Sequence, residues 1–244
     1  MSAYRKGNIF IISAASGTGK TTLVSRLLAN HNGLRVSVSH TTRPPREGEV
    51  NGVHYHFVSK EEFESLIAQE AFLEYADVFG NYYGTSAEGV NALAAAGYDV
   101  ILEIDVQGAA QVRNALPEAV GIFILPPSFD VLAARLNGRG TDSREVIQRR
   151  LSKARHEIEQ SVLFDFVVVN DDLARAEEDL RHIVNALPSE KVAATGIYCR
   201  FVGKFLKNRE NTQFPILNIF ERKQIIWHVL PPKTVPEKFP TILT

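Results

Sequence analysis

Four short apolar runs, each followed by a stretch with helical periodicity, set the rhythm of this chain. "NIFIIS" leads into "KTTLVSRLLAN", "YDVILEID" into "VQGAAQVRNAL", "VGIFIL" into "FDVLAARLN", and "FDFVVVN" into "LARAEEDLRHIVNAL". Nearly continuous apolar runs suit strands buried on both faces, and the amphipathic segments between them suit the helices that cover those faces. The pattern predicts an α/β fold built on a parallel sheet. Two segments break the rhythm. Residues 36–86, rich in Tyr, Gly, Pro and Arg, predict a small inserted α+β sheet with one helix at "KEEFESLIAQ". Phe57, Phe63, Phe72 and Phe79 would form its core. Residues 137–150, "NGRGTDSREVIQRR", are polar and arginine-rich, which suits a flap better than a core element. The core then comprises residues 1–35, 87–136 and 151–187, and residues 188–244 form a separate tail.

Composition narrows the class. The 244 residues are 45% hydrophobic and 23% charged with a formal charge of −1, as in ordinary globular proteins. Cys199 is the single cysteine, so no intrachain disulfide can form. No apolar run approaches the roughly 18 residues of a membrane helix, and no cleavage site follows the first apolar run. These features predict a cytoplasmic protein. Residues 190–244 carry nine Lys/Arg against four Asp/Glu, which leaves 18 basic and 24 acidic residues elsewhere. An acidic body argues against nucleic-acid binding, so any anion must be held by local clusters.

One such cluster is "AASGTGKTT", Ala14 to Thr22. It matches the phosphate-loop pattern G-x-x-x-x-G-K-[ST] except that Ala14 fills the first glycine slot. The loop follows a strand and opens a helix, so Ala15, Ser16, Gly17, Thr18, Gly19 and Thr22 can turn backbone N–H groups and the positive helix end towards one anion. Gly17 and Gly19 let the backbone curl, Lys20 can reach terminal phosphates, and the Thr21 hydroxyl can ligate Mg²⁺. Alanine adds one methyl group at a position that needs a compact residue, and the loop is expected to tolerate it. A nucleoside triphosphate with Mg²⁺ is the expected pair of ligands.

A second cluster holds Arg43 and Arg46, separated by Pro44 and Pro45, with Tyr55, Tyr83 and Thr85 following. Two guanidinium groups held close repel unless an anion lies between them, and their planar donors suit phosphate. A solvated basic turn is the plain alternative. Asp105, ending an apolar strand, suits either Mg²⁺ or the N-cap of the next helix. His54 and His56 alternate around Tyr55 but lack a third ligand at metal spacing, and His40 beside the arginines is incidental.

The stretch "TTRPPREGEVNGVHYHFV", Thr41 to Val58, resembles the signature of guanylate kinases, which phosphorylate GMP with ATP. The resemblance spans roughly residues 5–187 and none is evident beyond. The bacterial branch of that family commonly carries alanine where Ala14 stands. The resemblance implies a P-loop three-layer parallel-sheet core, with 36–86 as the inserted GMP-binding domain and 137–150 as a helical lid. It implies that Ser39, Arg43, Arg46, Tyr55 and Tyr83 hold the GMP phosphate, and that Glu74 and Thr85 read guanine. Glu103 and Asp105 would be the acidic pair near Mg²⁺ and the nucleotides. Arg135, Arg139 and Arg150 would approach the transferring group, and Asn170 the adenine.

Chemistry agrees with that assignment. Guanine offers two adjacent donors, N1–H and the 2-amino group, to one carboxylate, whereas adenine would leave Glu74 unpaired. On its local sequence alone, Glu74 also reads as a surface glutamate on a strand. The acceptor phosphate is already an oxyanion, so positioning and charge neutralisation matter more than a base. A non-catalytic guanylate-kinase-like binding module and a kinase for another nucleoside monophosphate are the rival readings. Intact Lys20, Thr21 and flap arginines argue against the module. The tail contains Trp227 and reads as a disordered appendage, an interaction segment or an irregular coding end. The sequence is silent on oligomeric state, and a homo-oligomer stays open.

Overall fold

The computed structural model describes residues 6–78, 80–138 and 144–186. Phe79, Arg139 and the 188–244 tail lie outside the described residues. In chain order the elements are β1 (Ile9–Ala14), α1 (Lys20–Ala29), β2 (Leu34–Val36), β3 (His40–Thr41), β4 (His56–Phe57) and α2 (Lys60–Ala68). Then come β5 (Phe72–Val78), β6 (Asn81–Ser86), α3 (Ala87–Ala95), β7 (Asp99–Glu103), α4 (Val106–Ala115) and β8 (Val120–Leu125). The series ends with α5 (Phe129–Asn137), α6 (Arg144–Glu159), a 3-10 turn (Gln160–Leu163), β9 (Phe166–Val169) and α7 (Leu173–Ala186).

The main sheet has strand order β2-β7-β1-β8-β9, and every pairing in it is parallel. Its strands are apolar on both faces because both are covered. Ile9 and Ile11 point to one cluster with Val90 and Ala94 of α3, Val112 of α4, Leu132 of α5 and Ile158 of α6. Phe10 and Ile12 point to the other, with Leu23 and Leu27 of α1 and Leu180 and Ile183 of α7. This is the three-layer arrangement expected of continuous apolar strands. The edge strand β2 is three residues long with only Leu34 buried, too short to register as an apolar run.

Residues 40–86 build a second sheet of order β4-β3-β6-β5 with α2 against it. Phe63 of α2 is fully buried, its ring stacked on Phe72 at 4.5 Å and on Tyr82 at 5.3 Å. Gly84 passes beneath it, where a Cβ would come within 2.9 Å of the Phe63 ring. Phe57 packs instead on Tyr55, with ring centres 5.8 Å apart.

The flap read at 137–150 differs in one respect. Residues 144–150 are the first turns of α6, a 16-residue helix that runs on to Glu159. The reason lies in its C-terminal half, where Ala154 and Ile158, four apart on one face, are buried against the main sheet. The boundary drawn at 150 therefore falls inside a continuous helix. No helix among the described residues is long and apolar enough to cross a membrane.

Phe63→Ala should cost about 3–5 kcal/mol of stability, the usual cost of removing a fully buried aromatic ring. Urea denaturation of the two proteins checks this, and a loss below about 1 kcal/mol would remove Phe63 from the core of the small sheet.

Candidate active site

The site begins where β1 ends. Gly17 and Gly19 adopt φ of 87° and 96°, the left-handed region that only glycine enters without strain. Ala14 has no such requirement: it is the last residue of β1, in register with Ile124, so a methyl group is accommodated at the first slot. Gly19 serves as N-cap of α1 and provides no side-chain acceptor. The contrast with the neighbouring helices is informative, because α2, α3, α4 and α5 are each capped by a side chain, from Ser59, Ser86, Asp105 and Ser128. The first N–H groups of α1 thus lack the side-chain acceptor its neighbours have, which is how an anion site is built.

The loop opens into a cavity of about 470 Å³ lined by all of Ala14–Thr22 and by Ser39, Tyr55, Glu74, Tyr83, Glu103 and Asp105. One wall therefore comes from the main sheet and the other from the small one. Lys20 Nζ donates to the Ile104 carbonyl at 3.3 Å and lies 3.9 Å from Glu103. Burial pushes the Lys20 pKa down, and Glu103 and Asp105 pull it back. The Thr21 hydroxyl donates to Glu103 Oε1 at 2.6 Å.

Of the two roles open to Asp105, the structure shows the helix cap. Its Oδ1 accepts from the N–H groups of Gln107 and Gly108, which caps α4. Its Oδ2 is buried with no protein donor. Asp105 lines the cavity together with Thr21 and Glu103, and oxygen donors of this kind fit Mg²⁺ shared with phosphates. No group of three or more His, Cys, Asp or Glu that could hold a metal exists among the described residues. The His54 Nδ1 accepts from the Val50 N–H at 3.0 Å.

Glu74 is 5% exposed, and its Oε1 accepts from the Thr85 hydroxyl at 2.6 Å. Burial raises its pKa to about 7, against the lowering effect of the Thr85 hydrogen bond. The surface alternative is thereby excluded.

Arg43 and Arg46 do not line this cavity. The Arg43 guanidinium sits 5.5 Å from the Tyr55 ring centre, and Tyr55 faces Tyr83 with ring centres 5.9 Å apart. The anion between the two arginines is internal. Glu49 accepts from Arg43 Nη2 at 2.8 and 2.9 Å and from the Arg46 backbone N–H at 2.7 Å. That pairing holds the Glu49 carboxyl below its usual range. The Arg46 side chain is exposed. Glu49 was visible only as a residue three after Arg46, a spacing that has no meaning until the loop closes.

Arg135 and Asn170 converge on the backbone of the phosphate loop. Both donate to the Thr18 carbonyl, Arg135 Nη1 at 3.1 Å and Asn170 Nδ2 at 2.7 Å. Arg150 lies half-buried on α6, and Arg139 lies outside the described residues. Two cavity residues had no sequence signal beyond their i,i+4 spacing. Lys153 Nζ is 3.6 Å from Glu157 Oε1, and burial raises the Glu157 pKa.

Comparison with known proteins accords with this geometry. A family profile described as guanylate kinase matches residues 6–187. Guanylate kinases from Neisseria meningitidis serogroup A and Neisseria gonorrhoeae are 90% and 88% identical over 208 residues, 85% of this chain and 100% of theirs. Such an alignment is longer than residues 1–187 can supply, so the likeness continues past 187, beyond the span expected from the sequence signature. A crystal structure of guanylate kinase from Anaplasma phagocytophilum superposes with a TM-score of 0.64 at 32% identity, covering 77% of this chain and 89% of that one. With a family profile spanning most of its length and relatives this similar, the chain belongs to the guanylate kinase family.

Proposed function

We infer that this protein transfers the γ-phosphoryl group of ATP to GMP, giving ADP and GDP, within guanine nucleotide metabolism. The observation that carries this is a single cavity with two unlike ends. One end is a helix N-terminus without a side-chain cap, ringed by left-handed glycines, and the other is a buried carboxylate on the second sheet. The first suits a triphosphate, and the second suits a base with two adjacent donors. A non-catalytic binding module is not favoured, because Lys20 and Thr21 are intact and relatives 90% identical bear an enzyme's name.

In this reading Ala14–Thr22 holds the ATP phosphates and Lys20 neutralises charge on them. Glu74, supported by Thr85, accepts from guanine N1–H and the 2-amino group. Ser39, Tyr55 and Tyr83 bind the GMP phosphate, with Arg43 brought to it from its bond with Glu49 and Arg46 from the exposed turn. A GMP phosphate oxygen attacks the γ-phosphorus while the bond to the β–γ bridging oxygen breaks, so no strong general base is required. Arg135, Arg139 and Arg150 neutralise charge on the transferring group, and 137–150 acts as the lid that keeps water out. Thr21, with Glu103 and Asp105, would hold Mg²⁺, which when bound screens the phosphate charges and orients the γ-phosphoryl. Asn170 supports the loop near the adenine. Both substrates are nucleotides of the cell interior, which supports a cytoplasmic location.

The direct test is ADP release from ATP and Mg²⁺ with GMP, AMP, CMP or UMP as acceptor. GMP should exceed each of the others by about 10⁴ in kcat/KM, because a buried carboxylate left unpaired penalises the wrong base. Preference for AMP would break the Glu74 assignment, and no turnover with any acceptor would favour the binding module.

The Glu74 pKa also makes a stability prediction. The unfolded carboxyl ionises at its ordinary 4.5 and the native one at about 7, so the native state keeps the proton longer. Folding therefore weakens as pH rises between those values. Glu74→Gln, which cannot ionise, should gain on the wild type by on the order of 2 kcal/mol between pH 4.5 and pH 8 in urea denaturation. A constant difference would show that the carboxyl is not held in a desolvating pocket.

A further inference from the structure

The carboxylate that meets guanine belongs to the small sheet, yet a helix of the main layer holds it in position. In α4, Gly108 is buried directly against Glu74. A Cβ placed on Gly108 would stand 2.4 Å from Glu74 Oε2 and 3.0 Å from its Cδ. Glycine is among the weakest helix formers, and alanine would favour the helix. The space taken by the Glu74 carboxylate gives a reason for glycine here. One turn further on, Gln111 behaves like a neighbouring strand towards β5, the edge strand of its sheet. Its Oε1 accepts from the Tyr75 N–H at 3.2 Å and its Nε2 donates to the Tyr75 carbonyl at 2.9 Å. The N-terminus of the same helix is fixed by Asp105, which accepts from the Gly108 N–H at 3.0 Å.

We propose that Gly108 and Gln111 are positioning residues for guanine selection. Gly108 supplies the room that lets the Glu74 carboxylate lie at the guanine edge, and Gln111 fixes β5 against α4 so that the room stays aligned. The inference rests on the guanylate kinase reading. Its physical content is a shared origin, because the helix that begins at Asp105 beside the phosphates also forms the wall behind the base pocket. A methyl group at 108 has little freedom to be absorbed. The Glu74 carboxylate is tied to Thr85 on one side, and the β5 backbone is tied to Gln111 on the other. Either the carboxylate rotates away from guanine or α4 and β5 separate, and each outcome spoils the two-donor contact.

The experiment compares kcat/KM for GMP and for inosine monophosphate, which keeps the 6-oxo group and N1–H but lacks the 2-amino group. Wild-type protein should prefer GMP, and Gly108→Ala should shrink that preference by about tenfold or more. Circular dichroism of the same preparation reports whether the variant is folded. A wild type without a GMP preference sinks the functional reading itself. A wild type that prefers GMP, with a folded Gly108→Ala variant keeping the same ratio, overturns this inference alone. If Gly108→Ala does not fold, Gln111→Met decides, since it keeps the length but loses both hydrogen bonds. It should raise KM for GMP by about fivefold or more while kcat changes less. An unchanged KM in that variant would overturn the proposal.

Discussion

The structure depends on a backbone constraint at the end of β1. Two glycines in left-handed conformations turn the chain so that the first N–H groups of α1 converge, and no side chain caps them. A helix end in that state has unsatisfied donors and a positive field, both of which an anion relieves. The parallel sheet then decides what else can reach the anion. With β1 flanked by β7 and β8, the carboxyl ends of neighbouring strands lie side by side, and Glu103 and Asp105 at the end of β7 are carried to Lys20 and Thr21. Open α/β sheets bind ligands in this crevice for the same reason.

In the proposed function, the second sheet gives the first its specificity. A phosphate loop by itself binds any triphosphate, so choice of acceptor has to come from another surface. In that reading Glu74 provides the surface at an electrostatic cost, since burial raises its pKa to about 7. A carboxylate kept partly unwilling to ionise gains from a base that offers two N–H donors, and loses when offered none. Charge is managed similarly around Arg43. Glu49 occupies its guanidinium fork and the Arg46 N–H. The basic turn is thus neutralised internally and held in shape.

Much of this was legible in the sequence, and the parts that were not share a cause. The four apolar runs became β1, β7, β8 and β9, because strands buried on both faces announce themselves by continuous apolar residues. Gly17, Gly19, Lys20 and Thr21 were readable because a short loop carries all of its chemistry locally. β2 was not, since three residues with one buried side chain leave no period to detect. The continuity of α6 was hidden because arginines dominate its first turns while Ala154 and Ile158 bury its later ones. Glu49, Gly108 and Gln111 were invisible for a different reason. Their meaning comes from contacts with residues in other segments or across a closed loop, and such contacts leave no spacing rule in the chain.

The central claim is that one cavity receives both nucleotides, with the triphosphate on the loop and the base against Glu74. The most direct measurement is calorimetric titration with adenosine and guanosine joined through a pentaphosphate chain. Linking two ligands that bind adjacent sites converts the second binding event into an intramolecular one, so affinity should exceed that for ATP or GMP alone by about 100-fold or more. The account predicts one molecule bound per chain, with displacement of both nucleotides. Affinity no better than that of ATP, with GMP still able to bind, would contradict it.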